Sequence, residues 1–217
     1  MEFGLACEGV TDQVVLRSIL VGHFEDEDMY DNTTFLQPAF DETTRKQDGF
    51  GNWTLLLKYL REEKFRDDVL NHDYLLVQVD TDVSDDFGFD VSQRDIAGNP
   101  KSPEQLINDT IIRLIDEINL GQPDFYQEHT QKIIFALAVH SLECWLLAHY
   151  ENGKKAQKIV NCFNSLERAI NKKIEKNHDN YEALSAPFQK KRNLASARRN
   201  NVSLHVFLEN IEAILAP

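Results

Sequence analysis

One stretch limits the possible folds more than any other. Tyr74-Leu-Leu-Val-Gln-Val-Asp-Thr-Asp82 is a short apolar run that stops at two carboxylates one residue apart. Polar turn residues bound it, Asn71-His72-Asp73 before and Asp80 to Asp86 after, so residues 74–79 are predicted to form a buried strand. Both acids then stand at the strand's carboxyl end, the edge where open α/β sheets bind ligands. Side chains alternate along a strand, but the backbone turns just past its end, which lets Asp80 and Asp82 address one ion. Taken alone, the pair also fits ordinary turn chemistry, in which aspartate caps neighbouring backbone N–H groups.

Three further runs read as strands. Phe3-Gly-Leu-Ala-Cys7 is the first, and it ends at Glu8-Gly9, where glycine permits a tight turn. Thr11 is the expected N-cap of a helix through Leu20, with Val15, Leu16, Ile19 and Leu20 on one face. Asp12 reads as a first-turn acid favoured by the helix dipole. A second strand is expected near Thr34–Phe40, then a turn at Asp48-Gly-Phe-Gly-Asn52 and a helix over Trp53–Phe65. Gly49 and Gly51 are turn glycines, since no Lys-Ser or Lys-Thr follows to complete a phosphate loop. Val83–Pro103 is a long polar loop of the kind that is a functional lid or partly disordered, from which Asp85 or Asp86 could fold back.

Ser102-Pro-Glu-Gln105 has the composition of a capped helix start. Lys132–Val139 is the last strand, and it runs into a helix over His140–His149 with Glu143 on its first turn. Strands separated by helices predict an α/β fold with about four parallel strands and crossover helices. Residues 1–150 form the core in this reading, and residues 151–217 a basic helical extension packed on it, with helices over Ala156–Ile174 and Ser203–Leu215.

A net charge of −13 by itself opposes binding to nucleic acid, but its distribution does not. Residues 151–217 carry 12 Lys and Arg against 7 Asp and Glu, net +5, which leaves 11 against 29, net −18, in residues 1–150. Such a chain can hold cations in one part and phosphates in the other. Lys190, Lys191, Arg192, Arg198 and Arg199 are the candidate phosphate contacts, and a solvated helix face is the alternative reading. Cys7, Cys144 and Cys162 are expected to be reduced core thiols. No stretch approaches a membrane span and Met1-Glu-Phe-Gly does not open a signal peptide, so the expected setting is the cytoplasm.

Glu8-Gly9 after the first strand and Asp80-Thr-Asp82 after a later one resemble the TOPRIM domain of topoisomerases, primases and OLD-type and related defence nucleases. The Ser-Leu-Glu-Cys-Trp setting of Glu143 is similar to small stand-alone TOPRIM-like proteins found near bacterial defence loci. The likeness covers about residues 3–150 and implies a TOPRIM/Rossmann-like core. It also implies Mg²⁺ or Mn²⁺ held by Asp80 and Asp82, with Glu8 as a further ligand or proton carrier and Glu143 as an additional ligand. The implied activity is metal-dependent hydrolysis of phosphodiester bonds in DNA or RNA, as an endonuclease in anti-phage defence. A nucleic-acid substrate and an ATPase partner follow from the same likeness, with a homo-oligomer left open. Two rival functions remain at this point: a non-catalytic binding module whose acids hold a structural ion, and an Mg²⁺-dependent phosphohydrolase acting on a nucleotide or other small phosphorylated metabolite.

Overall fold

The computed structural model describes residues 1–39 and 52–215. Among them, β1 (Phe3–Ala6), β2 (Thr33–Gln37), β3 (Tyr74–Asp80) and β4 (Ile133–Ala138) form one sheet in the order β2-β1-β3-β4, with every neighbouring pair parallel. The fold is α/β, with helices on both faces. The expected turn from Asp48 to Gly51 and the Phe40 end of the expected second strand lie outside the described residues.

Alternation along β3 sorts the two cores. Leu75, Val77 and Val79 face α2 (Trp53–Arg61), α3 (Glu63–Asn71), α4 (Pro103–Gly121) and α5 (Phe125–Glu128). Leu76 faces α1 (Val10–Phe24) and α6 (Glu143–Tyr150), and beyond them α7 (Cys162–Ile170), α8 (His178–Ser185), α9 (Lys191–Asn200) and α10 (Val202–Leu215). Gln78 and Asp80 share the Leu76 side by the same period of two. The chain leaves β1 toward β2 and returns to β3 on the other side of β1. The β1/β3 boundary is therefore the topological switch point, where an open sheet has a crevice at its carboxyl edge.

Several element boundaries differ from expectation for local reasons. Gly9, not Thr11, caps α1, and the Asp12 carboxylate accepts the Gly9 N–H at 2.8 Å. The Trp53–Phe65 helix breaks at Glu62, whose extended backbone (φ −77°, ψ 153°) separates α2 from α3. The single helix expected over Ala156–Ile174 shrinks to α7, because Asn161 before it and Asn171 after it both adopt the left-handed conformation that asparagine tolerates. Ser102 and Gln105 form the expected capping box of α4. The long loop after β3 is anchored rather than free: Phe89 is buried edge-on to Trp53, and Arg113 donates to the Gly88 and Phe89 carbonyls. Cys144 and Cys162 are joined as a disulfide instead of standing as separate thiols, and Cys7 alone is free and buried.

α1 is buried nearly all round, which identifies a helix covered on two sides. Val15, Leu16 and Ile19 belong to the core shared with the sheet, while Ser18 meets Ser185 of α8 at 2.9 Å. Gly22 lies so close under the Phe188 carbonyl that a Cβ there would stand 1.8 Å from its oxygen. The region after residue 150 thus shares one continuous core with α1 and α6. Gly22→Ala is expected to push these layers apart and cost about 1–3 kcal/mol, the usual penalty of overpacking. Chemical denaturation with tryptophan fluorescence will read it, and an unchanged midpoint would contradict this packing.

Candidate active site

The registers of β1 and β4 on β3 bring the acids together. Ala6 lies opposite Val77, and Asp80 opposite Ala138, so Glu8, Asp80 and the residues leading to Glu143 meet at one edge. Gln78, fully buried, ties two of them: its Oε1 accepts the Glu8 N–H at 3.4 Å, and its Nε2 donates to Asp80 Oδ1 at 2.9 Å. Asp80 Oδ1 also accepts the Leu142 N–H at 3.1 Å, which places the start of α6 over the end of β3. Asp82 sits in a short 3₁₀ turn, Thr81–Val83, and is exposed at the mouth.

His140 adopts a left-handed conformation (φ 62°), its N–H donating to Thr81 Oγ1 at 2.8 Å and its carbonyl accepting the Asp82 N–H at 3.0 Å. A strained residue is held here by bonds that join the turns after β3 and β4. The structure therefore assembles Glu8, Asp80, Asp82 and Glu143 around one crevice. It adds Asp12, which is buried at the start of α1 and interacts electrostatically with Glu8 and Glu143.

Two groups from beyond residue 150 complete the cluster. Lys176 Nζ lies 2.8 Å from Glu143 Oε1, and the Tyr181 hydroxyl donates to the same oxygen. Neither is signalled by sequence, since one lysine in a basic segment and one tyrosine in a helix carry no motif. The packing of α8 along α1 delivers both.

Electrostatics divides the acids into two kinds. Burial pushes Glu143 up, but the Lys176 ammonium and the Tyr181 hydroxyl outweigh it and hold the carboxyl below its usual range. Asp80 is pushed well up by burial and by Asp12, Glu143 and Glu8; Asp12 by burial, Glu8 and Glu143. Asp82, though exposed as a residue, is raised by partial desolvation of its carboxyl and by the Glu143 charge. Glu8 rises to about 7, chiefly by burial and then by Asp82. One ammonium thus faces five carboxyls, and burial with mutual repulsion favours the protonated form of those it does not neutralise.

The donors are all oxygen, which suits a hard divalent ion such as Mg²⁺ or Mn²⁺. Glu8 Oε2 is buried with no hydrogen-bond partner, which is an available ligand atom in the crevice. As the side chains stand, no three His, Cys, Asp or Glu among the described residues are grouped to hold an ion. Glu143 is engaged by Lys176 and Tyr181, and one oxygen of Asp80 by Gln78 and Leu142. Asp85 does not fold back toward the acids; it closes its own loop by accepting the Gln93 N–H at 2.9 Å.

The expected phosphate contacts lie elsewhere. Lys191 pairs with Glu25 just past the carboxyl end of α1, while Asp12 lies at its amino end, about 20 Å away for a helix of that length. Arg198 is held bidentately by Glu212. Lys190, Arg192 and Arg199 are exposed and form no ion pair among the described residues. No helix of the described residues is long and apolar enough to cross a membrane. Compared with known proteins, the chain matches no family model, no curated protein and no solved structure.

The raised Glu8 carboxyl carries a sign. Between its unfolded value of 4.5 and its folded value of about 7 the native state binds the extra proton, so stability falls as pH rises through this window and the loss is complete above it. Ligand-free protein is expected to melt at a lower temperature at pH 8 than at pH 5.5. Glu8→Gln should remove roughly 1–2 kcal/mol of that dependence, allowing for solvent screening. A variant with the full wild-type pH slope would show that Glu8 is not the titrating group.

Proposed function

We propose that the chain is a metal-dependent nuclease that hydrolyses phosphodiester bonds of DNA or RNA. The observation that carries this is the acid cluster at the switch point, with Glu8 Oε2 buried and unpartnered beside Asp80 and Asp82. Glu8, Asp80 and Asp82 would hold Mg²⁺ or Mn²⁺, with Glu143 next to them. Bound there, such an ion supplies Lewis-acid polarisation of a phosphate oxygen and lowers the pKa of a coordinated water.

The chain's own groups have separate tasks. Gln78 orients Asp80 while engaging the Glu8 backbone, so the two acids are fixed as a unit. A Glu8 carboxyl that titrates at about 7 can take or give a proton at working pH, the property wanted of a general acid or base. Lys176 offers a cation to the non-bridging phosphate oxygens, and Tyr181 holds Glu143 in place when Lys176 turns to the substrate. Resemblance to TOPRIM nucleases extends this reading to a cytoplasmic role in bacterial anti-phage defence, with an ATPase supplied by another chain.

One observation favours a second reading. The Lys176–Glu143 pair places an ammonium where a metal would otherwise be drawn, as expected of a TOPRIM-like module that binds a partner without catalysis. Purified protein incubated with plasmid, single-stranded DNA and transfer RNA, in Mg²⁺, Mn²⁺ or EDTA, separates the two. The nuclease reading expects cutting that requires the ion and falls at least about 100-fold in Asp80→Ala/Asp82→Ala, since both proposed ligands are gone. Calorimetry should show one of the two ions binding, with proton release, and no binding in the double variant. An ion bound without cutting would leave the module, and absence of both binding and cutting would remove the metal site from either reading.

A further inference from the structure

We infer that the phosphate backbone of the nucleic acid is carried by the face formed by the segment after α6, by α7 and by the loop that follows it, and not by the cluster at Lys190–Arg192. The inference rests on the nuclease reading for the choice of polyanion; the surface itself is built from its own residues. Residues 151–176 hold seven Lys and Arg against three Glu, so net +4 of the +5 carried by residues 151–217 is concentrated there.

The charge is arranged in two hollows that share Arg168. Lys155, Lys158 and Arg168 line one of about 250 Å³ together with Glu151, which lies 3.8 Å from Lys155; Arg168, Lys172 and Lys173, with Asn164, Asn171 and Glu167, line another of about 320 Å³. Lys158 is steadied by Ser165 Oγ at 3.0 Å and Lys173 by Glu167 at 2.8 Å. Arg168 and Lys172 are exposed and make no ion pair among the described residues, which leaves their charge available to an incoming phosphate. The asparagines add amide donors, and the hollow at Lys172 and Lys173 has no apolar residue in its lining on which a protein partner would rest.

This face joins the acidic crevice at three points. Lys176, three residues past Lys173, reaches Glu143. The ring of Phe163, next to Asn164, lies 5.0 Å below Lys176 Nζ. The Cys144–Cys162 disulfide fastens the first residue of α7 to the neighbour of Glu143. A strand seated along Arg168, Lys172 and Lys173 would therefore reach the acids past Lys176. The Lys190–Arg192 cluster leads away from them, to the far end of α1.

The test is fluorescence anisotropy with short labelled single-stranded DNA, single-stranded RNA and duplex DNA, in EDTA so that nothing is cut, across a salt series. Arg168→Glu/Lys172→Glu is expected to weaken binding of the preferred probe at least about tenfold at low salt, and to lower the salt slope by about 2, one for each lost phosphate contact. Arg168→Lys/Lys172→Arg, which keeps both charges, should bind like the wild type, and Lys190→Glu/Arg192→Glu should lose less than the first pair. If circular dichroism shows the glutamate pair unfolded, Arg168→Ala/Lys172→Ala is read in its place, with the same loss of slope expected. A greater loss in the Lys190/Arg192 pair overturns the inference. So does a wild type that binds none of the three probes, or one that binds an acidic polypeptide instead. Wild-type protein that binds along this face yet cuts nothing with Mg²⁺ or Mn²⁺ would overturn the nuclease reading and leave the path standing.

Discussion

Parallel pairing of β1 with β3, with β2 kept outside, forces like charges into contact. The strands cannot pair in that register without bringing the end of one, at Glu8, against the end of the other, at Asp80, and α1 then starts beside them with Asp12. Carboxylates crowded out of water repel strongly, so the fold is tolerable only with neutralising groups in the crevice. Three kinds are present: hydrogen bonds from Gln78 and backbone amides, protons on the raised carboxyls, and the Lys176 ammonium.

Division of labour between the two parts of the chain follows. The sheet, α1 and α6 supply acids, and the region after residue 150 supplies the cation, from the loop before α8, and the hydroxyl, from α8, that keep Glu143 ionised. The helices of that region also cover the outer side of α1, whose buried Val14, Ser18 and Val21 would otherwise face water. Packing and charge compensation are therefore met by the same elements.

The sheet was legible because short apolar runs ending in acids have few other interpretations, and all four expected strands are present. Glu8, Asp80, Asp82 and Glu143 converge because strand ends are positions that period and turn residues mark in one dimension. Sequence marks Asp12 as a dipole partner; its side chain does accept a cap N–H, and only the tertiary register shows that it also faces Glu8. Lys176 and Tyr181 are brought in by a loop and a helix packing across more than thirty residues of chain from Glu143, and local pattern holds no record of such a contact. Asn161 and Asn171 cut one helix to a shorter one by a backbone conformation that composition does not announce. The disulfide joins cysteines whose spacing fits no motif, so only the packing of α7 on α6 reveals it.

Lys176 also sets an order of events during synthesis. A growing chain that has reached Glu143 contains every carboxylate of the crevice and no ammonium to match them, and the matching charge follows only 33 residues later. Until then α1 has no α8 to cover it, and Glu143 has no Lys176 to pair with. A chain that stops between Glu143 and Lys176 therefore carries the acids without the cation that pairs with Glu143.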